Sequence, residues 1–514
     1  MTDWTGRNVA AFLLFLGLCA CQPQPDQADR CVAMSAANLA GVEIASSAVV
    51  SDRNDLPAFC QIQGTIDPNI GFEARFPVEN WNGKYYQAGC GGYCGGVFAD
   101  KPGFSNSINE ALKLGFATIT TDNGHSAGGG DPSWAKGNPE AVEVYAHKGI
   151  ALTHSAGTRM VRSFFSTEPR REYFGGCSNG GRMAAMAAQR YPTLFDGILG
   201  GGGVLHLSYS GGVYGSWIVQ ANTLGDGQRI LNEKNFASKL PALERAVRAQ
   251  CDATDGSEDG VISQPRNCAV DITALPSCEG ESTDECFTST EKSVLAKWYQ
   301  GPRNSAGEQL FPGAPPGGER FLGYWFLDTD DRIKIGNQLG GGYAKYLGFP
   351  EGTHDAYTAL EFDFDRDPQR LAVTGKLLDA TDPDLTEFQE SGGKYLMWHG
   401  WSDPLVLPDQ SLSYYKSVAD RMGGIDEISS FYRLFMIPGQ GHCWEMPADV
   451  PDRFDPITVL DKWVETGKPP EKIPAHALNP ESAIVTDAVL CPHPGTAINL
   501  AAGVTIDNVQ CASQ

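Results

Sequence analysis

Short apolar or alternating runs bounded by turn residues recur at 42–50, 59–66, 70–78, 84–89, 116–121, 173–176, 196–200, 394–399 and 431–437. Helix-period patterns lie among them at 105–114, 139–166 and 180–191. Strands alternating with helices predict an α/β fold: a mostly parallel sheet covered on both faces. The rhythm breaks between about 204 and 390, where Pro312-Gly313-Ala314-Pro315-Pro316-Gly317-Gly318 and an aspartate-dense loop occur, and it resumes at Lys394. Segments 31–203 and 391–514 are therefore expected to build the sheet domain, and 204–390 a lid inserted into it. A lid over the C-terminal edge of the strands encloses a cleft there. No internal repeat or low-complexity tract interrupts this organisation.

The N-terminus changes the picture of where the chain works. Arg7 precedes the apolar run from Val9 to Leu18, which ends in Leu18-Cys19-Ala20-Cys21. At about a dozen residues the run is too short for a stable membrane span. It reads as an export signal over 1–20. The Cys21 context resembles a bacterial lipoprotein processing box with Cys21 lipidated; ordinary cleavage after Ala20 or slightly later is the alternative. Residues 21–30 then form a tether, and the mature protein is periplasmic, lipid-anchored to a membrane or secreted. Export implies an oxidising compartment. Of 14 cysteines, removal of Cys19 and Cys21 leaves an even set. Proximity suggests Cys90 with Cys94, Cys251 with Cys268, Cys278 with Cys286 and Cys491 with Cys511, leaving Cys31, Cys60, Cys177 and Cys443. The formal charge of −23 argues against nucleic-acid binding, which needs a basic face.

Candidate chemistry centres on Gly176-Cys177-Ser178-Asn179-Gly180-Gly181, placed between the apolar run ending Tyr173-Phe174-Gly175 and an alanine-rich helical segment. Strand, Gly-x-Ser-x-Gly turn and helix together form the context of a nucleophile elbow. A serine nucleophile needs a base and an orienting acid. Asp403 follows the run at 395–398, and the glycine-flanked His442 follows the run at 431–437. The order Ser178, Asp403, His442 is that of α/β-hydrolases. His125 and His154 read as structural, and His399 as a packing residue behind the site. Cys177 precedes the nucleophile and Cys443 follows the base, and a bond between them would tie the two together. The alternative is a pair of buried free thiols. An oxyanion hole needs two backbone donors: Asn179 supplies one, and Gly91 or Gly92, in the glycine-rich turn after the run at 84–87, the other.

A second loop, Cys251-Asp252-Ala253-Thr254-Asp255-Gly256-Ser257-Glu258-Asp259-Gly260-Val261, carries carboxylates at Asp252, Asp255 and Asp259. With the backbone carbonyls of Ser257 and Val261 it suits a hard cation, and structural Ca²⁺ is expected. An acidic solvated turn is the plainer alternative.

The combination of Cys177-Ser178, Asp403 and His442-Cys443 resembles the tannase and feruloyl esterase family, which includes mono(hydroxyethyl) terephthalate hydrolase. Further similarities are Trp81-Asn82-Gly83, Asp122-Asn123-Gly124-His125, Leu56-Pro57-Ala58-Phe59-Cys60, the aspartate loop and Trp463-Val464-Glu465-Thr466-Gly467. The resemblance spans roughly 31–511. It implies an α/β-hydrolase with a large lid that hydrolyses small esters of aromatic carboxylic acids through an acyl-enzyme. It also implies a structural calcium ion and the pairs Cys31–Cys60, Cys177–Cys443, Cys251–Cys268, Cys278–Cys286 and Cys491–Cys511. Trp444-Glu445-Met446 departs from the glycines that follow the histidine in many relatives. Lid aromatics Phe321, Tyr324, Trp325, Phe326, Tyr343 and Tyr346 are shared between core and acyl pocket. The expected assembly is a monomer. A serine peptidase or aliphatic-polyester depolymerase on the same scaffold, and an inert calcium-stabilised surface lipoprotein, are the competing readings.

Overall fold

The computed structural model describes residues 1–2, 27–51, 53, 55–101, 107–279, 282–327, 336–349, 351–443, 450–451, 453–478, 484–499 and 506–511. The export signal, the lipidation of Cys21 and the Trp444-Glu445-Met446 departure lie outside these residues.

The nine apolar runs form nine strands: β1 (Val42–Val50), β2 (Phe59–Ile66), β3 (Ile70–Pro77), β4 (Lys84–Ala88), β5 (Ala117–Thr121), β6 (Arg171–Cys177), β7 (Gly197–Gly201), β8 (Lys394–Gly400) and β9 (Tyr432–Ile437). They make one sheet in the order β1-β2-β3-β5-β4-β6-β7-β8-β9. The first four in that order pair antiparallel, and β5 through β9 pair parallel. β4, β5 and β7 are buried along their whole length, the pattern of strands covered on both faces.

Alternation along the central strands separates two cores. Tyr85, Phe174, Ile198, Tyr395, Met397 and Leu434 face one side, with helices Gly149–Phe165, Asn179–Arg190 and Asp409–Met422. Tyr86, Tyr173, Leu199, Leu396, Trp398 and Phe435 face the other, with helix Pro456–Thr466. Both periods follow from side chains pointing to opposite faces in successive strand residues.

β7 and β8 are neighbours in register, Gly197 opposite Lys394 and Gly201 opposite Trp398. Everything between them leaves the sheet. Helices Glu233–Cys251, Ser289–Gln300 and Glu319–Phe326 from this insertion bury Phe236, Leu243, Val247, Val294, Trp298 and Leu322 in a separate apolar cluster. Two disulfides, Cys251–Cys268 and Cys278–Cys286, close its loops.

The structure departs from the sequence reading at both ends. The last four residues assigned to the tether, 27–30, belong to helix Gln27–Met34. That helix buries Cys31 and Met34, and Cys31 bonds to Cys60 in β2, so the packed domain starts before residue 31. At the C-terminus β10 (Ile473–Leu478), β11 (Ile484–Leu490) and β12 (Ile498–Asn499) form a small antiparallel sheet. The sequence reading misses them, although Ile473–Leu478 alternates buried and more exposed positions; Pro474 within that run weakens its strand signal. The Cys491–Cys511 bond lies beside them. Among the described residues no helix is long and apolar enough to cross a membrane.

Candidate active site

Three strand ends supply the site. β6 ends at Cys177, and Ser178 turns the chain at φ 63° and ψ −123° before helix Asn179–Arg190. This is left-handed backbone, costly for a non-glycine residue and held only because its surroundings fix it. The turn is tight: a Cβ on Gly176 would lie 2.7 Å from the Gly180 Cα, so only glycine fits there. The Ser178 N–H donates to the Gly201 carbonyl at 3.0 Å, and the Ser178 carbonyl accepts from the Arg182 and Val204 N–H groups at 3.1 and 3.2 Å. The elbow is thereby pinned across β6, β7 and the first helical turn.

β8 delivers Asp403 on the loop after Gly400. Its carboxylate is fully buried. Oδ1 accepts from the Leu405 and Val406 N–H groups, each at 2.9 Å. Oδ2 lies 2.7 Å from Nδ1 of His442 and 3.3 Å from Nε2 of His399. Burial alone would raise this carboxyl. The charge of His442 and the hydrogen bonds from His399 and His442 outweigh it and hold the group at about 2. Asp403 is therefore a permanent anion. His399 is itself buried, with Nδ1 on Ser411 Oγ and Nε2 donating to the Val406 carbonyl, both at 2.7 Å. It braces the acid.

β9 delivers His442. The preceding Gln440 carbonyl accepts the Ser402 N–H at 3.0 Å, which joins the histidine loop to the aspartate loop. Cys443 is bonded to Cys177, with Cα atoms 5.9 Å apart, so the neighbours of Ser178 and His442 are covalently joined. Gly202 forms the floor where the segments meet: a Cβ there would lie 3.4 Å from Cys177 Sγ, 3.6 Å from Asp403 Oδ2 and 3.7 Å from His442 Nδ1. From the lid, the Trp325 ring stands perpendicular to the His442 imidazole at 5.4 Å. This contact, Gly202 and the Arg182 network below carry no motif in the sequence.

The glycine turn after β4 sits against the elbow. Cys90 and Cys94 are bonded, and the Cys94 N–H donates to the Gly91 carbonyl at 3.0 Å. Gly92 has φ +60°, and a Cβ on it would lie 2.1 Å from the Gly129 carbonyl oxygen. The Asn179 side chain donates to the Cys90 carbonyl at 3.2 Å. His125 contacts the Tyr93 carbonyl through Nε2 at 2.6 Å and stacks on Trp134, and His154 pairs with Glu172; both support packing. An apolar pocket opens where Ser178, Asn179 and Gly92 meet Val204, Leu207, Leu339, Leu405 and Val406. Among the described residues no charged side chain lines it. The buried Ser210 hydroxyl, which has no hydrogen-bond partner, does.

The aspartate loop curls on itself. Asp252 accepts from the Gly260 N–H, Asp255 from those of Ser257 and Ser263, and Asp259 from that of Val261. Among the described residues no three acidic, histidine or cysteine side chains gather into a metal cluster. The donor set is nonetheless all hard oxygen, which suits calcium, and a cation here would need the Ser257 and Val261 carbonyls to complete its shell.

The sequence matches the family model described as "Tannase and feruloyl esterase" over residues 54–512. The chain belongs to the tannase and feruloyl esterase family. It is 33% identical over 503 residues to an uncharacterized esterase of Xanthomonas campestris pv. campestris, covering 88% of this chain and 84% of that one. It is 29% identical over 500 residues to the mono(2-hydroxyethyl) terephthalate hydrolase of Piscinibacter sakaiensis, covering 85% and 82%. The crystal structure of feruloyl esterase B from Aspergillus oryzae superposes with a TM-score of 0.78 at 24% identity, covering 94% of this chain and 98% of that one. The α/β-hydrolase fold is thus shared with the feruloyl esterases, and this member of the family is a carboxylic ester hydrolase.

Proposed function

We propose that this family member is an exported serine esterase that cleaves esters of aromatic carboxylic acids through an acyl-enzyme. The observation that carries the reading is the Asp403–His442 pair at 2.7 Å, bound to the strained Ser178 elbow by the Cys177–Cys443 bond. Ser178 attacks the ester carbonyl while His442 takes its proton and passes it to the leaving alcohol. Asp403 holds the imidazole by Nδ1 and stabilises its charged form. The Asn179 N–H and the N–H of Gly91 or Gly92 receive the oxyanion; Gly92 lines the pocket beside Ser178 and is the better placed of the two. Water then attacks the acyl-enzyme, with His442 as base.

The apolar walls favour a flat acyl group, and the Ser210 hydroxyl offers one hydrogen bond to a ring substituent. A fluorophosphonate probe is expected to label Ser178 in the wild type and to leave Ser178→Ala unlabelled, with kcat lowered by roughly 10³-fold or more. Wild-type turnover should be highest on feruloyl, galloyl, hydroxybenzoyl or terephthaloyl monoesters in a panel that also holds peptides and short aliphatic esters. Peptide cleavage without ester turnover sinks the assignment.

Two further parts of the reading concern the whole protein. Six disulfides support an oxidising compartment. The Leu18-Cys19-Ala20-Cys21 sequence supports export with a lipid on Cys21; loss of detergent-phase partitioning in Cys21→Ser tests the lipid. The aspartate loop, whose Gly260 and Val261 share a cleft with Ser402 and Gly439, is proposed to hold one structural calcium ion.

A further inference from the structure

Arg182 stands out among the buried groups that the proposed chemistry leaves unused. Its side chain is wholly enclosed, one helical turn beyond Ser178. A buried guanidinium is normally matched by a carboxylate. Here Nε donates to Asn179 Oδ1 at 2.7 Å, Nη1 to the Ala146 and Leu378 carbonyls and Nη2 to the Tyr145 carbonyl, each at 3.0 Å. All four acceptors are neutral. The guanidinium also lies 4.8 Å from the centre of the Tyr145 ring. The carboxylate that acts on it through space, Asp379, does not bond to it; Asp379 accepts from the Ser208 N–H and hydroxyl and faces His206. Burial lowers the Arg182 pKa from its ordinary value, as expected of a cation without a full counter-charge.

The network leads from this cation to the proposed oxyanion donors. Asn179 Oδ1 accepts from Arg182 and lies 3.0 Å from the Tyr145 hydroxyl, which is also 3.3 Å from the Gly92 carbonyl. With Oδ1 held, Nδ2 of Asn179 faces the Cys90 carbonyl at 3.2 Å. One side chain thus bridges the helix that carries the first donor and the turn that carries the second.

We infer that Arg182 is a positioning residue for the oxyanion hole: through Asn179 it fixes the spacing between the Asn179 and glycine-turn N–H groups, and its positive charge adds to their pull on the developing oxyanion. Preorganised dipoles and charges act strongly in a site shielded from water, and small misplacements of such groups are costly. The inference rests on the serine-esterase reading above.

The test uses the full chain with 4-nitrophenyl benzoate as substrate, 2,2,2-trifluoroacetophenone as an analogue that forms a hemiketal oxyanion on serine, and benzoate as product. Variants are Arg182→Lys, Arg182→Met, Asn179→Ala and the double variant Arg182→Lys with Asn179→Ala. Arg182→Lys is expected to lower kcat roughly 10- to 100-fold with KM nearly unchanged. Affinity for the ketone should fall by a similar factor, and affinity for benzoate should stay within about twofold. The double variant should be no worse than its more impaired parent, because both changes cut one network. If Arg182→Met fails to fold, Arg182→Lys and Asn179→Ala decide the matter. Equal loss of ketone and benzoate binding, unchanged kcat, or additive effects in the double variant would overturn the role of Arg182 alone. A wild type that resists both the fluorophosphonate and the ketone would instead overturn the serine-esterase reading, and the inference with it.

Discussion

Asp403 shows how a single residue's environment sets what it can do. Burial pushes its carboxyl up, but the charge of His442 and the hydrogen bonds of Oδ2 to His442 and His399 outweigh that, and the group sits at about 2 against an ordinary 3.8. A pKa lowered on folding stabilises the protein above the unfolded-state value, and that stabilisation is lost as pH falls through the folded value. The lost contribution is about 2 kcal/mol across the interval from pH 4 to pH 2. Asp403→Asn should therefore be less stable than wild type in urea at pH 7, with the gap narrowing below pH 4; a constant gap contradicts the assignment. Asp403 stays ionised throughout the working range and is not expected to contribute to any loss of activity above about pH 4. His399 was placed behind the site by sequence, but how it acts there was not legible. A histidine four positions before the acid carries no motif, and only the fold brings both of its nitrogens into a buried bracing network.

At the scale of elements, the site is three strand ends and a staple. Removing Cys177 and Cys443 together, as alanines, is expected to cut turnover roughly 100-fold at 25 °C while near-ultraviolet circular dichroism stays native. Melting should also drop, since a cross-link over 266 residues is worth about 5.6 kcal/mol in the chain-entropy picture. Native turnover in the double variant would remove the positioning argument. The elements themselves were largely legible. The apolar runs that became β4 through β9 are buried on both faces, so their composition alone marks them, and turn residues bound each one. The strands of the small C-terminal sheet were missed even though Ile473–Leu478 alternates in burial, because Pro474 demotes the run as a strand signal. Helix Gln27–Met34 was hidden inside a polar stretch; its order comes from Cys31 and Met34 docking onto β2 and its neighbours. Local disulfides followed from spacing, whereas the choice of lid aromatic against His442 depended on where helix Glu319–Phe326 lands.

At the scale of the molecule, sheet and insertion carry separate burdens. The aspartate loop belongs to the insertion and is closed by Cys251–Cys268, far in sequence from the proposed nucleophile. A strong chelator is accordingly expected to lower the melting temperature by several degrees and to leave kcat at 25 °C within about twofold, because ligand binding stabilises the folded state by mass action. Unchanged melting removes the proposed ion, and parallel loss of kcat moves it into the catalytic machinery. The charge of −23 opposes association with polyanions and favours solubility.

Because β7 and β8 pair in parallel, the polypeptide departs at the C-terminal end of β7 and returns at the opposite end of the sheet, beside Gly197, roughly 13 Å away along the strand direction. Both ends of the excursion are anchored in neighbouring strands of fixed register, which makes it an exchangeable cartridge. A relative's equivalent segment could be spliced in at the same two hinges without re-registering a single neighbouring strand, and selectivity would travel with Leu207, Trp325 and Leu339 while Ser178, Asp403 and His442 stayed home.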